Sequence, residues 1–277
     1  MNFGLIIIGD EILSGKRADK HLAKAIELLG ARGLQLAYAE YVGDDPQRIT
    51  ATLARAFASG DIVFSCGGIG ATPDDHTRQC AARALGRELV LHPQAEALIR
   101  ERMQDVAREQ GIPYEPGRSD NLHRLNMGMF PAGADIIPNP FNKIPGFCCA
   151  LNGDSGSIGE HGGICFFPGF PVMAWPMMEW VVDTHCRQYF VSDARVEKSV
   201  IVFGAMESTL TPLMEDIERQ HAVKVFSLPS VDHPEFGRHI ELGVKGAPAA
   251  VEQAYTVLFA ELGKLQCKLG PELVRKL

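Results

Sequence analysis

Paired-cysteine motifs are missing from this chain: its seven cysteines show no Cys-x-x-Cys spacing, and two of them, Cys148 and Cys149, are neighbours. A disulfide framework and a structural zinc site are therefore excluded as organising devices, and a reduced, cytoplasmic setting is expected. No His-Glu-x-x-His run supplies a catalytic zinc pair. Basic residues are in deficit, with 27 Lys and Arg against 34 Asp and Glu for a net charge of -7, which argues against a nucleic-acid partner. Apolar runs long enough to span a bilayer are also lacking, and the start of the chain has neither a basic leader nor a cleavage site, so no membrane partner is expected. What is present is an ordinary globular composition over 277 residues, enough for one large domain and a smaller one.

The chemistry concentrates in Asp61-Ile-Val-Phe-Ser-Cys-Gly-Gly-Ile-Gly-Ala-Thr-Pro-Asp-Asp-His-Thr-Arg78. A strand-length apolar run passes through Gly67, Gly68 and Gly70 into a helix start. Thr72 takes the N-cap position, Pro73 the first helical position, and Asp75 lies three residues after the cap, the spacing of a capping box. Glycines between a strand and a helix let backbone N–H groups face outward, where the helix dipole also favours an anion. Asp74 and Asp75 bring two carboxylates to the same place, and a phosphate beside them would need a divalent metal ion. The stretch is neither a Gly-x-Gly-x-x-Gly fingerprint nor a Walker loop. A tight strand–helix turn without a ligand is the alternative; three glycines and a carboxylate pair favour a phosphorylated small molecule.

Periodicity supplies the frame. Phe3–Ile8, Leu34–Val42 and Asp61–Ser65 read as strands, and helices follow each, carrying Leu22, Ile26 and Leu29, then Ile49, Leu53 and Phe57, then the segment to Gly86. Three strand–helix units predict an α/β fold, a mostly parallel sheet with helices on both faces. Its C-terminal edge collects the loops Gly9–Gly15, Gly43–Pro46 and Cys66–Asp75, all acidic, where open α/β sheets bind ligands. A helix over Pro93–Gln110, a strand over Ala134–Ile137 and a helix over Val172–Phe190 follow. Leu151–Gly163, with five glycines, reads as a mobile lid or a solvent-exposed excursion. Beyond a linker at Ser192–Lys198, a βαββα pattern comprises Val196–Phe203, Ser208–Gln220, Val223–Leu228, Arg238–Val244 and Pro248–Leu262. The domains are thus expected at 1–190 and 195–265, with 266–277 a peripheral tail.

Four ordered motifs, Gly9-Asp-Glu-Ile-Leu-Ser-Gly15, Val42-Gly-Asp-Asp45, Gly67-Gly-Ile-Gly-Ala-Thr-Pro-Asp-Asp-His-Thr77 and Phe167-Pro-Gly-Phe-Pro171, resemble the molybdopterin-binding fold of the MoaB/MogA type. The similarity is greatest to the N-terminal part of CinA-like proteins and covers residues 3–190; the βαββα segment resembles the small KH-like α+β subdomain that follows it there. The amidase domain that many CinA-like proteins carry beyond it has no room here, so nicotinamide-nucleotide deamidation is not expected. The resemblance implies a cofactor-binding set of Gly67, Gly68, Gly70 and Thr72 at the phosphate, with Gly9, Ser14, Pro168 and Gly169 contributed by the other motifs. It also implies as catalytic carboxylates Asp75 and either Asp44 or Asp45; one of that pair must cap the following helix, and Asp44 is taken as the one free for chemistry. Asp10, Glu11 and Asp74 are the metal-ligand candidates; accepting hydrogen bonds from loop amides, or complementing a helix dipole, are their alternatives.

Four positions depart from the family pattern: His21, Ala71, Lys143-Ile-Pro-Gly146 and Met173. They leave the phosphate end closer to the pattern than the part holding the rest of the ligand. His76 is the histidine nearest the loop, and Cys66 reads as a small buried filler rather than a nucleophile. Trp175, Trp180, Met173, Met177 and Met178 form core or a subunit interface, and related proteins suggest a homo-oligomer. Gly243-Val-Lys-Gly246 ends a strand, the wrong setting for an RNA clamp. Three functions follow from the resemblance: Mg-, Mn- or Co-dependent hydrolysis of a nucleotide pyrophosphate such as ADP-ribose or FAD; pterin binding or adenylylation in molybdenum cofactor synthesis; or a non-catalytic ligand-binding module.

Overall fold

The first strand, Phe3–Ile8 (β1), is buried at all six positions. Its alternate side chains serve two cores: Phe3, Leu5 and Ile7 on one face, Ile6 and Ile8 on the other. A strand buried on both faces reads as a continuous apolar run, as parallel sheets require. The computed structural model describes residues 1–151, 158–191 and 195–276. The chain divides into two compact units, Met1–Phe190 and Val191–Leu277.

In the first unit β1 is followed by β2 (Leu36–Val42), β3 (Ile62–Cys66), β4 (Leu89–Leu91), β5 (Met129–Pro131), β6 (Asp135–Ile137), β7 (Gly146–Cys149) and β8 (Gly163–Phe167). The main sheet runs β2-β1-β3-β8-β7-β6, while β4 and β5 pair apart from it. β1 is parallel to β2 and β3, and β3 to β8; β7 runs antiparallel to both β8 and β6. The helices His21–Gly30 and Pro171–His185 cover one face; Pro46–Ser59 and Thr77–Leu85 cover the other. The expected α/β sheet is therefore present. The chain moves from β1 outward to β2 and then back to β3 on β1's other side, which creates a topological switch point at their carboxyl ends.

Helix ends follow local chemistry. Asp45 accepts from the Arg48 amide at 2.8 Å and Pro46 takes the first turn, so Asp45 is the cap and Asp44 is left for other contacts. Asp19 accepts from the amides of His21 and Leu22 at 2.8 and 3.1 Å. The helix expected to reach Phe190 stops at His185, followed by a short turn at Arg187–Tyr189. Of the expected lid, residues 152–157 lie outside the described residues, and its end is a one-turn helix, Ile158–His161, leading to β8. All seven cysteines are free; six are buried, and burial pushes the Cys66 thiol far up, consistent with a filler role.

The second unit comprises β9 (Val196–Phe203), a helix Glu207–Gln220, β10 (Val223–His233), β11 (Gly237–Gly246), a helix Pro248–Lys264 and β12 (Lys268–Lys276). The last strand corrects the sequence reading: residues 266–277 are not a tail, because Lys268–Lys276 pairs antiparallel with β9 and completes the order β10-β11-β9-β12. Val200, Val202, Leu242 and Val244 of the sheet pack with Leu210, Ile217, Tyr255 and Leu258 of the helices. Gly243 and Gly246 both lie within β11, paired to its neighbours.

Three rings stack through the second core of the first unit. Phe147 lies 4.5 Å from Phe130 and 4.4 Å from Phe166 by ring centroids, with interplanar angles of 22° and 12°. All three are buried to 1% exposure or less. Emptying the central position removes both ring contacts and leaves a cavity between β5, β7 and β8. Phe147→Ala is expected to cost about 3–5 kcal/mol in chemical denaturation, and Phe147→Leu clearly less.

Candidate functional site

The carboxyl end of β3 meets that of β1 so closely that only glycine fits. Gly67 has φ +110°, and a Cβ there would stand 2.1 Å from the Ile8 carbonyl oxygen; at Gly68, φ +68°, it would stand 2.2 Å from the Thr77 hydroxyl. The turn is fastened from both sides. The Gly67 amide donates to Phe167 O, the Thr77 hydroxyl to Gly67 O and the Thr77 amide to Gly68 O, each at 3.0 Å. Beneath it lies Arg78, 3% exposed, whose guanidinium donates to Gly70 O at 2.5 Å and to Asn126 O. Burial lowers its pKa to about 10, and Asp75 opposes that shift, so the charge persists at neutral pH.

The helix start is later than the capping-box reading placed it. The helix is Thr77–Leu85, with His76 at the N-cap making no side-chain cap bond. Thr72 instead belongs to a turn closed by Asp75, whose Oδ2 accepts from the Thr72 amide at 2.8 Å and the Thr72 hydroxyl at 2.6 Å. The tethers from Thr77 to Gly67 and Gly68 explain the shift, because they fix the first helical residue five positions downstream of Thr72. The result is a loop rather than a helix N-terminus at the ligand face. Among the described residues, the amides of Gly68, Ile69, Gly70 and Ala71 donate to no protein acceptor. Successive free N–H groups in such a turn form an anion-binding concavity.

One cleft of about 410 Å³ gathers most of the expected residues: Gly9, Glu11, Asp44, Gly67, Gly68, Gly70, Thr72, Asp74, Asp75, Pro168 and Gly169 all line it. Two do not. Ser14 ends the short helix Asp10–Leu13 away from the cleft wall, and Asp10 faces a separate groove with Glu40 and Tyr41. Asp10 is occupied structurally: its amide donates to Asp44 Oδ2 at 2.9 Å, and its Oδ1 accepts from the Asp44 amide at 3.2 Å. The proposed metal triplet of Asp10, Glu11 and Asp74 is thus not assembled on one wall. Among the described residues no group of three His, Cys, Asp or Glu could hold a metal ion unaided.

Residues that sequence reasoning passed over complete the wall. Arg17 lines the cleft and stands over the Phe170 ring at 5.8 Å; its only signal was its place just after the first motif. Met127, Asn139 and Asn142 come from segments given no site role, whereas Ile144 and Pro145 belong to the Lys143–Gly146 stretch that departs from the family pattern. Arg78 had no readable signal, since it sits on a helix face whose neighbours Cys80 and Ala81 are core. His21 ties its helix to the turn that follows β8, with Nε2 at 3.1 Å from Gly169 O, and lines an adjoining pouch of about 290 Å³ with Glu11, Arg17 and Asp19.

Negative charge is crowded here. Burial first, and then the charges of Asp10, Glu11 and Asp74, raise Asp44 above the ordinary carboxylate range, against the hydrogen bond from Asp10. Asp74, by contrast, is held low first by the Thr72 hydroxyl, which it shares with Asp75.

The architecture is that of an α/β domain with a glycine-turn cleft at its switch point. The chain belongs to the family described as "Probable molybdopterin binding domain", whose model matches residues 4–188. It is 31% identical to a CinA-like protein of Geobacter metallireducens over 79% of this chain and 49% of the relative. With a CinA-like protein of Mycobacterium tuberculosis it shares 28% identity over 92% of this chain and 57% of the relative. The chain thus spans about half the length of the curated relatives it matches. Among solved structures, the protein CinA from Thermoplasma acidophilum, described as having unknown function, aligns with TM-score 0.54 and 26% identity, covering 66% of this chain and 98% of that one. No helix among the described residues is long and apolar enough to cross a membrane.

A raised Asp44 pKa means that the folded chain holds this proton more tightly than the unfolded chain. Ionised Asp44 therefore lowers stability above its folded pKa, and the cost vanishes below about 4, where both states carry the proton. Asp44→Asn keeps the oxygen that accepts from Asp10 and removes the charge. In EDTA it is expected to raise Tm by roughly 1–2 °C at pH 7, a gain that closes as pH falls towards 4.

Proposed function

We propose that the cleft binds a phosphorylated small molecule and hydrolyses a nucleotide pyrophosphate, of the ADP-ribose or FAD type, with a divalent cation. The observation that carries this reading is the run of four unpartnered amides, Gly68 to Ala71, on the wall that also bears Glu11, Asp44 and Asp74. The amides would hold phosphate oxygens, and buried Arg78 adds a fixed positive charge behind them. Arg17 would meet a second phosphate from the opposite loop.

The carboxylates fit a cation as donors. Asp44 is raised partly by its acidic neighbours, and such crowding is relieved by positive charge. Mg²⁺ and Mn²⁺ commonly use one or two carboxylates together with ligand phosphates and water, so a complete protein cage is not required. Asp44, with Glu11 or Asp74 and the ligand's own phosphate oxygens, would hold the ion, which when bound would neutralise charge on the phosphate. Asp44 and Asp75 each have one oxygen engaged, by the Asp10 amide and by Thr72; Asp44 is the preferred catalytic carboxylate because it stands beside Glu11 and Asp74, where a cation would be held.

A second reading, binding of a phosphorylated pterin, is favoured by the family match over residues 4–188. It uses the same amides without the hydrolytic step. One experiment separates the two. ADP-ribose and FAD are each incubated with Mg²⁺, Mn²⁺ or Co²⁺, with EDTA as control. AMP release that EDTA abolishes and Asp44→Asn lowers at least about 100-fold in kcat is expected. Absence of AMP with every metal overturns the hydrolase and leaves the binding reading.

A further inference from the structure

The cleft wall also carries an amide whose orientation is fixed by its surroundings. Asn139, 5% exposed, accepts from the Phe141 amide at 3.0 Å through Oδ1 and donates through Nδ2 to Ile144 O at 2.9 Å and Asn142 Oδ1 at 2.8 Å. Asn142 Oδ1 accepts a second bond, from the Ile144 amide at 3.1 Å. Both acceptor sites of that oxygen are therefore filled. Reversing the Asn142 amide would set its NH₂ against two donors, so the arrangement has one orientation.

The Asn142 NH₂ is consequently the part left for a ligand. Its partner is Met173 Sδ at 3.3 Å, a weak acceptor, and both residues line the cleft. Met127, Ile144, Pro145 and Phe170 supply apolar and aromatic surface on the same wall, suited to a flat ring.

We infer that Asn142 is a specificity-determining residue that donates to a carbonyl oxygen on the edge of the ligand's heterocycle. The inference rests on the phosphate-binding reading above. The usual bidentate recognition of an aminopurine by asparagine needs both a donor and an acceptor. Here the acceptor is committed to the protein, so the cleft favours an oxo ring edge, as in a 6-oxopurine, a flavin or a pterin, over a 6-amino one; of the two pyrophosphates proposed above it favours FAD, held by its flavin, over ADP-ribose. An amino group at that position would meet the Asn142 N–H donor to donor.

Isothermal titration calorimetry in EDTA tests this with IDP and ADP, which share ribose and diphosphate and differ in the 6-oxo or 6-amino group. Inorganic pyrophosphate is the third probe. IDP is expected to bind roughly three- to tenfold more tightly than ADP. Asn142→Asp keeps both accepted bonds but replaces the N–H with an acceptor, and should turn the preference towards ADP. Asn142→Ala should bring the ratio to about one; should it fail to fold, the Asp variant decides. Equal affinities in the wild type, or a preference unchanged in Asn142→Asp, would overturn the role of Asn142 while pyrophosphate binding leaves the anion site standing. If neither nucleotide nor pyrophosphate binds, the phosphate reading and this inference fall together.

Discussion

A Cβ on Gly67 would sit 2.1 Å from the Ile8 carbonyl oxygen, and the close approach of β3's end to β1's end depends on that atom being absent. Because the chain passes there, the Thr77 amide and hydroxyl reach back to Gly68 and Gly67, and Arg78 reaches Gly70. The helix begins where those bonds place it. The residues from Gly68 to Ala71 line the cleft, and their amides enter neither a ladder nor a helix. The helix start and the four unpartnered amides thus follow from a single backbone contact at the switch point.

The charges around that contact are arranged in opposition. Arg78 is buried behind the turn, where its guanidinium donates to the Gly70 and Asn126 carbonyls and its charge is supported by Asp75. Asp44 and Asp10 exchange backbone bonds and hold two loops in register, at the cost of placing carboxylates near Glu11 and Asp74. Under the proposed function, binding of an anion and a cation would relieve that crowding and add stability.

Much of this was legible in the chain itself. Phe3–Ile8, the Asp45-Pro46 cap and the glycine turn announce themselves through local chemistry that the tertiary structure leaves intact. Thr72-Pro-Asp-Asp75 misled because the same residues that begin a helix also close a four-residue turn, and the choice is made by Thr77 bonding to a strand end. The strand Lys268–Lys276 was hidden by Gly270 and Pro271, which fall at the register shift between Leu269 and Glu272 rather than ending the element. Asn142 had no signal at all. Its exposed donor exists only because Asn139 and the Ile144 amide occupy its oxygen.

Under the proposed function the amides of the glycine turn are the anion site. Backbone NMR of the chain titrated with inorganic pyrophosphate measures this directly. Saturable shifts of the Gly68, Ile69, Gly70 and Ala71 amides, with Gly67 changing less because its N–H is held by Phe167, are the predicted result. Pyrophosphate binding with those four amides unmoved, or no saturable binding, would contradict the account.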